Sequence, residues 1–110
     1  MNAKDYLKQI KKIDTQIKNK SVEAKNLKEI SPTLTGAVFV EIERLYNTRV
    51  GIIRTIEQLP EAEYDVLHKV YVQYETLQEV AAERDISYSL AATIHGRALK
   101  RLENLINIKD

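Results

Sequence analysis

Residues 76–87, Thr-Leu-Gln-Glu-Val-Ala-Ala-Glu-Arg-Asp-Ile-Ser, decide the fold of the C-terminal half of the chain. Thr76 and Glu79 are spaced as a capping box, in which each side chain bonds the backbone N–H of the other residue and so starts a helix. The predicted helix is short, covering residues 77–84. The turn at 85–87 ends in a serine that can cap a longer helix, predicted from residue 88 to about residue 107. A short helix, a tight turn and a longer helix form a helix-turn-helix motif.

One more helix is predicted in front of this motif. Pro60 is tolerated at the first position of a helix, and Glu61 and Glu63 suit the positive end of the helix dipole. Residues 59–110 are therefore predicted to form a three-helix head. Its inward-facing residues are expected to be Val66, Leu67, Val70, Tyr71, Leu77, Val80, Ala81, Ala91, Ile94, Ala98 and Leu102 with Leu105 or Ile106, supported by Leu99.

Residues 1–58 are predicted to form a helical stem. Apolar residues recur at spacings of three and four over residues 3–30, at Ala3, Tyr6, Ile10, Ile13, Ile17, Ala24 and Leu27. The segment 31–36, which contains a proline and a glycine, is predicted to be a linker, and a second amphipathic helix is predicted over residues 37–58. Two long helices joined by a short linker favour an antiparallel hairpin, here a possible coiled coil. The fold class is thus all-α.

Composition excludes several classes of protein. The chain has no cysteine, which excludes disulfides and thiolate zinc sites and fits a reducing cytoplasm. It has two histidines, of which His68 is expected to face solvent and His95 to be half-buried. No apolar run reaches membrane-spanning length, and the N-terminus lacks a signal-peptide core. No catalytic, metal or cofactor constellation is present, so we expect no cofactor and no enzyme activity.

The net charge of +1 is unevenly distributed. Residues 1–30 contain eight lysines and four acids, whereas residues 61–86 contain two basic and seven acidic residues. The lysines of the first helix can meet DNA or an acidic partner, or simply form a solvated face. The acidic residues Glu75, Glu79, Glu83 and Asp85 would repel DNA if they faced its groove.

The head resembles region four of sigma factors. The resemblance rests on three motifs: Leu59-Pro60-x-x-Glu63-x-x-Val66-Leu67-x-x-x-Tyr71, Thr76-Leu77-x-Glu79-Val80-Ala81, and Ile86-Ser87 followed by Ile94-His95-x-Arg97-Ala98-Leu99-Lys100-Arg101-Leu102. Together with the lysine-rich stem, the whole chain is similar to small phage regulators of the RinA/ArpU kind, which activate late genes. That resemblance implies double-stranded promoter DNA as ligand and contact with RNA polymerase. The linker at 31–36 is shorter than this family leads us to expect.

The resemblance places the DNA-reading face at the start of the third head helix. Region four carries arginine, glutamate and glutamine there, whereas no residue of this face in the present chain can make the bidentate arginine–guanine contact. Ala92 and Thr93 can pack on thymine methyls, and Tyr88 and Ser89 can bond phosphates or base edges. The expected DNA-binding residues are Ser87, Tyr88, Ser89, Ala92, Thr93, Arg97, Lys100 and Arg101. Because these contacts are few, we expect a homodimer formed through the stem.

Leu90 supports a second hypothesis. Helical phase places it beside the reading face and outside the inward stripe. In this interpretation the head binds a phage regulator or RNA polymerase through Leu90 and does not read DNA. A third hypothesis, a small structural helical protein, is disfavoured by the capping box and the turn at 85–87. Tyr64, Tyr71 and Tyr74 are interpreted as packing residues rather than as a stacking platform.

Overall fold

The computed structural model describes residues 1–109, with side chains described for residues 1–107. It confirms the all-α prediction: five α-helices and one π-helical turn cover most of these residues, which contain no strand. The elements are α1 (Ala3–Leu27), α2 (Pro32–Ile56), α3 (Glu61–Leu67), the π turn (His68–Val72), α4 (Leu77–Arg84) and α5 (Tyr88–Lys109). No helix in the described part of the chain is long and apolar enough to cross a membrane.

Helices α1 and α2 form the predicted hairpin. Their cross-helix pairs show that they are antiparallel, because positions that ascend along α1 meet positions that descend along α2. Tyr6 donates a hydrogen bond to Thr55, Arg49 pairs with Asp14, and Lys20 pairs with Glu41. The buried stripe of α1 includes Leu7, which is fully buried and which the predicted stripe omits.

The predicted linker at 31–36 is wrong, since the hairpin bend lies at residues 28–31. Ser31 is the N-cap of α2, and its Oγ accepts a hydrogen bond from the N–H of Leu34 at 3.3 Å. Pro32 occupies the first helical position, where a missing N–H costs nothing and the fixed φ suits the helix. The serine–proline pair therefore begins the second helix five residues earlier than predicted, and Gly36 lies within that helix.

The head contains the predicted helix-turn-helix. Helix α4 has the predicted bounds, and both hydrogen bonds of its capping box are present, between Thr76 and Glu79. Asp85 ends α4 in the left-handed conformation, with φ of 55°. The first head helix differs from expectation. It changes into the π turn at His68, and Tyr74 follows in a left-handed conformation with φ of 59°.

Two hydrophobic clusters meet along α5. Near its start, Ile94 packs with Val66 and Val80 in a cluster confined to the head. Farther along, Ala98 and Leu102 belong to a larger cluster that also contains residues of both stem helices. The hydrophobic core therefore crosses the sequence boundary at residues 58 and 59. The division of functions between a stem, residues 1–58, and a DNA-binding head, residues 59–110, stays a prediction.

Candidate nucleic-acid interface

The start of α5 is exposed and well capped. The Oγ of Ser87 accepts a hydrogen bond from the N–H of Leu90 at 3.0 Å, which confirms the predicted cap. The carbonyl of Ser87 accepts the first helical bond from Ala91. Because the left-handed turn at Asp85 redirects the chain sharply, the first turn of α5 projects from the head, with the side chain of Tyr88 55% exposed.

The predicted reading residues lie on the outward side of this first turn and of the next one. Tyr88, Ser89 and Thr93 are exposed, whereas Ala92 is half-buried. The hydroxyl of Thr93 donates to the carbonyl of Ser89 at 3.0 Å, so it is engaged within the helix and its methyl group remains for apolar contact. Their binding to DNA stays a prediction.

The basic residues of α5 follow on the same side of the helix. Arg97, Lys100 and Arg101 are exposed and line a shallow cleft together with Asn104. Within the described part of the chain, neither Arg97 nor Lys100 has a carboxylate oxygen within 4.0 Å of its side-chain nitrogens. Both are therefore available to an anionic ligand.

Arg101 has a structural partner that the sequence pattern did not indicate. Its Nε donates to Oε1 of Glu63 at 2.9 Å, and the Glu63 side chain is only 7% exposed. A buried carboxylate needs a compensating charge, so Arg101 is held against α3. A contact between Arg101 and DNA remains part of the predicted set, but this arginine also stabilises the fold.

Two further basic residues of the head, Lys69 and Arg84, are also engaged by acids. Arg84 pairs with Glu61 and Asp65, and Lys69 pairs with Asp65 and Glu83. Burial alone would raise the pKa of Asp65, but its hydrogen bonds with Arg84 and Lys69 lower that pKa below the usual value. A hydrogen bond with Glu83, together with some burial, raises the pKa of Glu75. Because residues 61–86 contain seven acids and only these two basic residues, the α3–α4 side of the head keeps an excess of negative charge.

The two histidines both pack against tyrosines. His95 is half-buried, as predicted, and its Nε2 lies 3.0 Å from the hydroxyl of Tyr71, with the two rings stacked. Burial, together with the nearby charge of Lys4, lowers the pKa of His95. The prediction for His68 is wrong: it is partly buried beside Tyr64, and burial lowers its pKa as well.

Tyr71 and Tyr64 are partly buried, which confirms their interpretation as packing residues. Tyr74 is half exposed and donates a hydrogen bond to Asp14 of the stem.

In the described residues, no group of three or more histidine, cysteine, aspartate or glutamate side chains is arranged to hold a metal ion.

Leu90 lies beside the reading face, as expected, with 45% of its surface exposed. It precedes Arg97 and Arg101 by seven and eleven residues, which are whole numbers of helical turns to a good approximation. An exposed leucine therefore adjoins the basic side of α5. Its proposed binding of a partner stays a prediction.

Together, the capped and exposed α5, the left-handed turn and the short α4 define a helix-turn-helix domain. Residues 55–104 match the family model of sigma-70, region 4. The RNA polymerase sigma factor FliA of Yersinia enterocolitica is 36% identical to the chain over 61 residues, which make up 56% of this chain and 26% of that protein. The similarity thus concerns a part of the sigma factor and not its whole length. No solved structure is significantly similar to the chain. The C-terminal part of the chain is thus a helix-turn-helix that is similar to sigma-70 region 4.

Replacing Arg101 by methionine is expected to lower the free energy of unfolding by about 1–3 kcal/mol, because the buried carboxylate of Glu63 loses its charged partner. Replacing both residues, as Glu63→Leu with Arg101→Met, is expected to recover most of that loss. Denaturant titration measures both effects. Arg97→Met is the matched control, and equal stabilities of Arg97→Met and Arg101→Met would show that the ion pair does not stabilise the head.

Proposed function

We propose that this protein is a DNA-binding transcriptional regulator without enzyme activity, acting as a phage late-gene activator of the RinA/ArpU kind. The observation that supports this most directly is the sigma-region-4 match over residues 55–104, with an exposed and capped α5 at the position of the recognition helix. Region four is a DNA-binding regulatory domain, so a role in transcription is the function that the domain supports best. The phage origin rests on the resemblance of the whole chain.

In this proposal the first two turns of α5 enter the major groove. Ser89 and Tyr88 bond phosphates or base edges, and Ala92 and Thr93 pack on thymine methyls. Arg97 and Lys100 contact the phosphate backbone, which positions the protein without reading sequence. Because no arginine or glutamine stands on this face, the operator differs from the promoter element that primary sigma factors read.

We further propose that two copies bind one operator. Two half-sites one helical turn apart, about 34 Å, would double the small set of contacts that one head provides. The stem offers a surface for dimerisation: Phe39, Tyr46 and Val50 are exposed along one side of α2. The molecule is 54 Å long but only 18 Å thick, and the exposure of this side of α2 leaves it open to a second hairpin.

RNA polymerase is the second proposed partner, since the relative named above is an RNA polymerase sigma factor. The site of action would be the cytoplasm of the bacterial host, where promoter DNA and polymerase are found.

The alternative function is that of an interaction protein with the same fold, which binds a phage regulator or RNA polymerase without reading DNA. The exposure of Leu90 favours it, because a large apolar side chain on an otherwise polar helix face is suited to a protein partner. The absence of arginine from the first turn of α5 points in the same direction.

The proposed DNA binding is tested with a duplex selected from a random pool and a scrambled duplex of the same length. The selected duplex is expected to bind about 10³-fold more tightly, the lower end of the range for specific complexes. Removing a phosphate contact with Arg97→Gln or Lys100→Gln is expected to reduce the slope of log K against log salt by about 0.9. Arg44→Gln, in the middle of the stem, is the control. Equal affinity for both duplexes contradicts the proposal.

Replacing Leu90 by arginine distinguishes the two functions. If the head binds DNA, the added charge lies beside the groove, and the affinity for the selected duplex is expected to stay equal or to rise. If the head binds a protein through Leu90, the same change is expected to abolish capture of RNA polymerase. The two measurements are fluorescence anisotropy with labelled duplex and co-purification with polymerase, and Leu90→Met serves as the conservative control.

The proposed dimer is tested by sedimentation equilibrium. The protein is expected to sediment as a dimer at micromolar concentration, whereas Phe39→Glu combined with Tyr46→Glu is expected to sediment as a monomer, because two carboxylates cannot be desolvated at the interface. Thr48→Glu, which adds a carboxylate on a different side of the same helix, is the control. A monomeric parent protein contradicts the proposed dimer.

A further inference from the structure

The proposed function leaves the head short of positive charge. Residues 61–86 carry an excess of acids, and both basic residues of that segment are paired with acids of the head. Arg101 is paired with Glu63. Two basic side chains of α5, Arg97 and Lys100, therefore remain unpaired among the described residues. Proteins that bind duplex DNA usually neutralise more phosphates than this.

The stem carries unpaired lysines close to α5. Lys4, Lys8 and Lys11 are spaced by four and three residues, so they lie on one side of α1, and all three are exposed. We call them the lysine row. None of their Nζ atoms has a carboxylate oxygen within 4.0 Å in the described part of the chain, whereas Lys20, farther along α1, is paired with Glu41.

The packing of α1 holds the lysine row against the head. Leu7, which lies between Lys4 and Lys8 in sequence, is fully buried in the cluster that contains Ala98 and Leu102 of α5. Lys8 and Lys11 line a cleft whose other side is formed by the π turn and Tyr74. The row thus borders the head at the π turn, on a helix that also packs against α5.

The N-terminal end of the row belongs to the part of α1 that packs beside α5. The charge of Lys4 is close enough to His95 to lower the pKa of that histidine. His95 is three residues from Ala92, one helical turn or about 5 Å along α5. Ala3, which precedes Lys4, is buried in the cluster that contains Ala98 and Leu102, so packing as well as charge places this end of α1 beside α5.

We propose that the lysine row of α1 is a second phosphate-binding surface, which contacts the DNA backbone beside the groove that α5 enters. The two sides of α5 have opposite charge: α3 and α4 present acids, and α1 presents lysines. DNA is therefore attracted toward the stem side, where three ammonium groups are free to replace condensed counterions. This inference rests on the proposed DNA binding and adds the stem to the interface.

The test compares two double variants with the same change in charge. Lys8→Gln with Lys11→Gln removes two members of the row, and Lys25→Gln with Lys28→Gln removes two exposed lysines at the far end of the hairpin, about 26 Å away along the helix axis. The first pair is expected to reduce the slope of log K against log salt by about 1.8, and the second pair to leave it nearly unchanged. All four positions are exposed, so both variants are expected to keep the thermal stability of the parent protein.

A second measurement locates the row on the DNA. Since the chain has no cysteine, Lys8→Cys provides a single attachment point for an iron chelate that cleaves nearby DNA. Cleavage is expected in the backbone flanking the bases protected by α5. The same chelate attached through Lys25→Cys is expected to give none.

The outcomes separate this inference from the function on which it rests. Equal salt slopes for the two double variants, in a protein that binds DNA and responds to Lys100→Gln, would overturn the inference and leave the proposed function standing. If Lys8→Gln with Lys11→Gln abolishes capture of RNA polymerase but leaves the slope of log K against log salt unchanged, the row binds an acidic protein. That result would also overturn the inference. A parent protein that binds no DNA would overturn both.

Discussion

The buried stripe of α5 is the constraint on which the rest of the structure depends. One helix contributes Ile94 to the core of the head and Ala98, Leu102 and Ile106 to the core shared with the stem. One side of the start of α5 is consequently left exposed, although Ala91 on the other side is fully buried. Farther along, α5 packs against the head on one side and the stem on another. Because the rest of α5 packs against both the head and the stem, the exposed side of its first two turns keeps a fixed orientation.

The packing of the head also determines which of its basic side chains are paired with acids. The acids of α3 and α4 engage Lys69, Arg84 and Arg101 of the head, so these three positive side chains are committed to the fold. Exposed ion pairs of this kind contribute little stability. The pair between Arg101 and the buried Glu63 differs, because loss of either partner leaves a desolvated charge or an unfilled space. The phosphate-binding role proposed for the stem lysines would add positive charge to the two unpaired basic residues of α5.

Local signals in the sequence predicted the helix-turn-helix well. Capping depends on side chains three residues apart, so Thr76 and Glu79 sufficed to place α4, and Ser87 sufficed to start α5. The Ser31–Pro32 pair carried an equally local signal that was interpreted as a break, although proline also begins helices. Long-range features could not be predicted: the contact between Arg101 and Glu63 joins residues 38 positions apart, and nothing near His68 indicated a π turn. The DNA-binding role of the reading residues depends on a ligand and remains a prediction.

Hydrogen bonds to Asp14 also fix the position of the stem relative to the head. Asp14 of α1 accepts hydrogen bonds from Arg49 of α2 and from Tyr74, which follows the π turn. Burial and the bond with Asp14 raise the pKa of Tyr74 to about 12, so the phenol remains protonated and able to donate. Apolar contacts alone would allow α1 to slide along the head. The carboxylate of Asp14, bonded from both α2 and the head, fixes the position of α1 relative to them. The left-handed backbone of Tyr74 is the local cost of reaching Asp14. The stem is consequently held in one orientation beside α5, which is the arrangement that the proposed DNA-binding surface of stem and head requires.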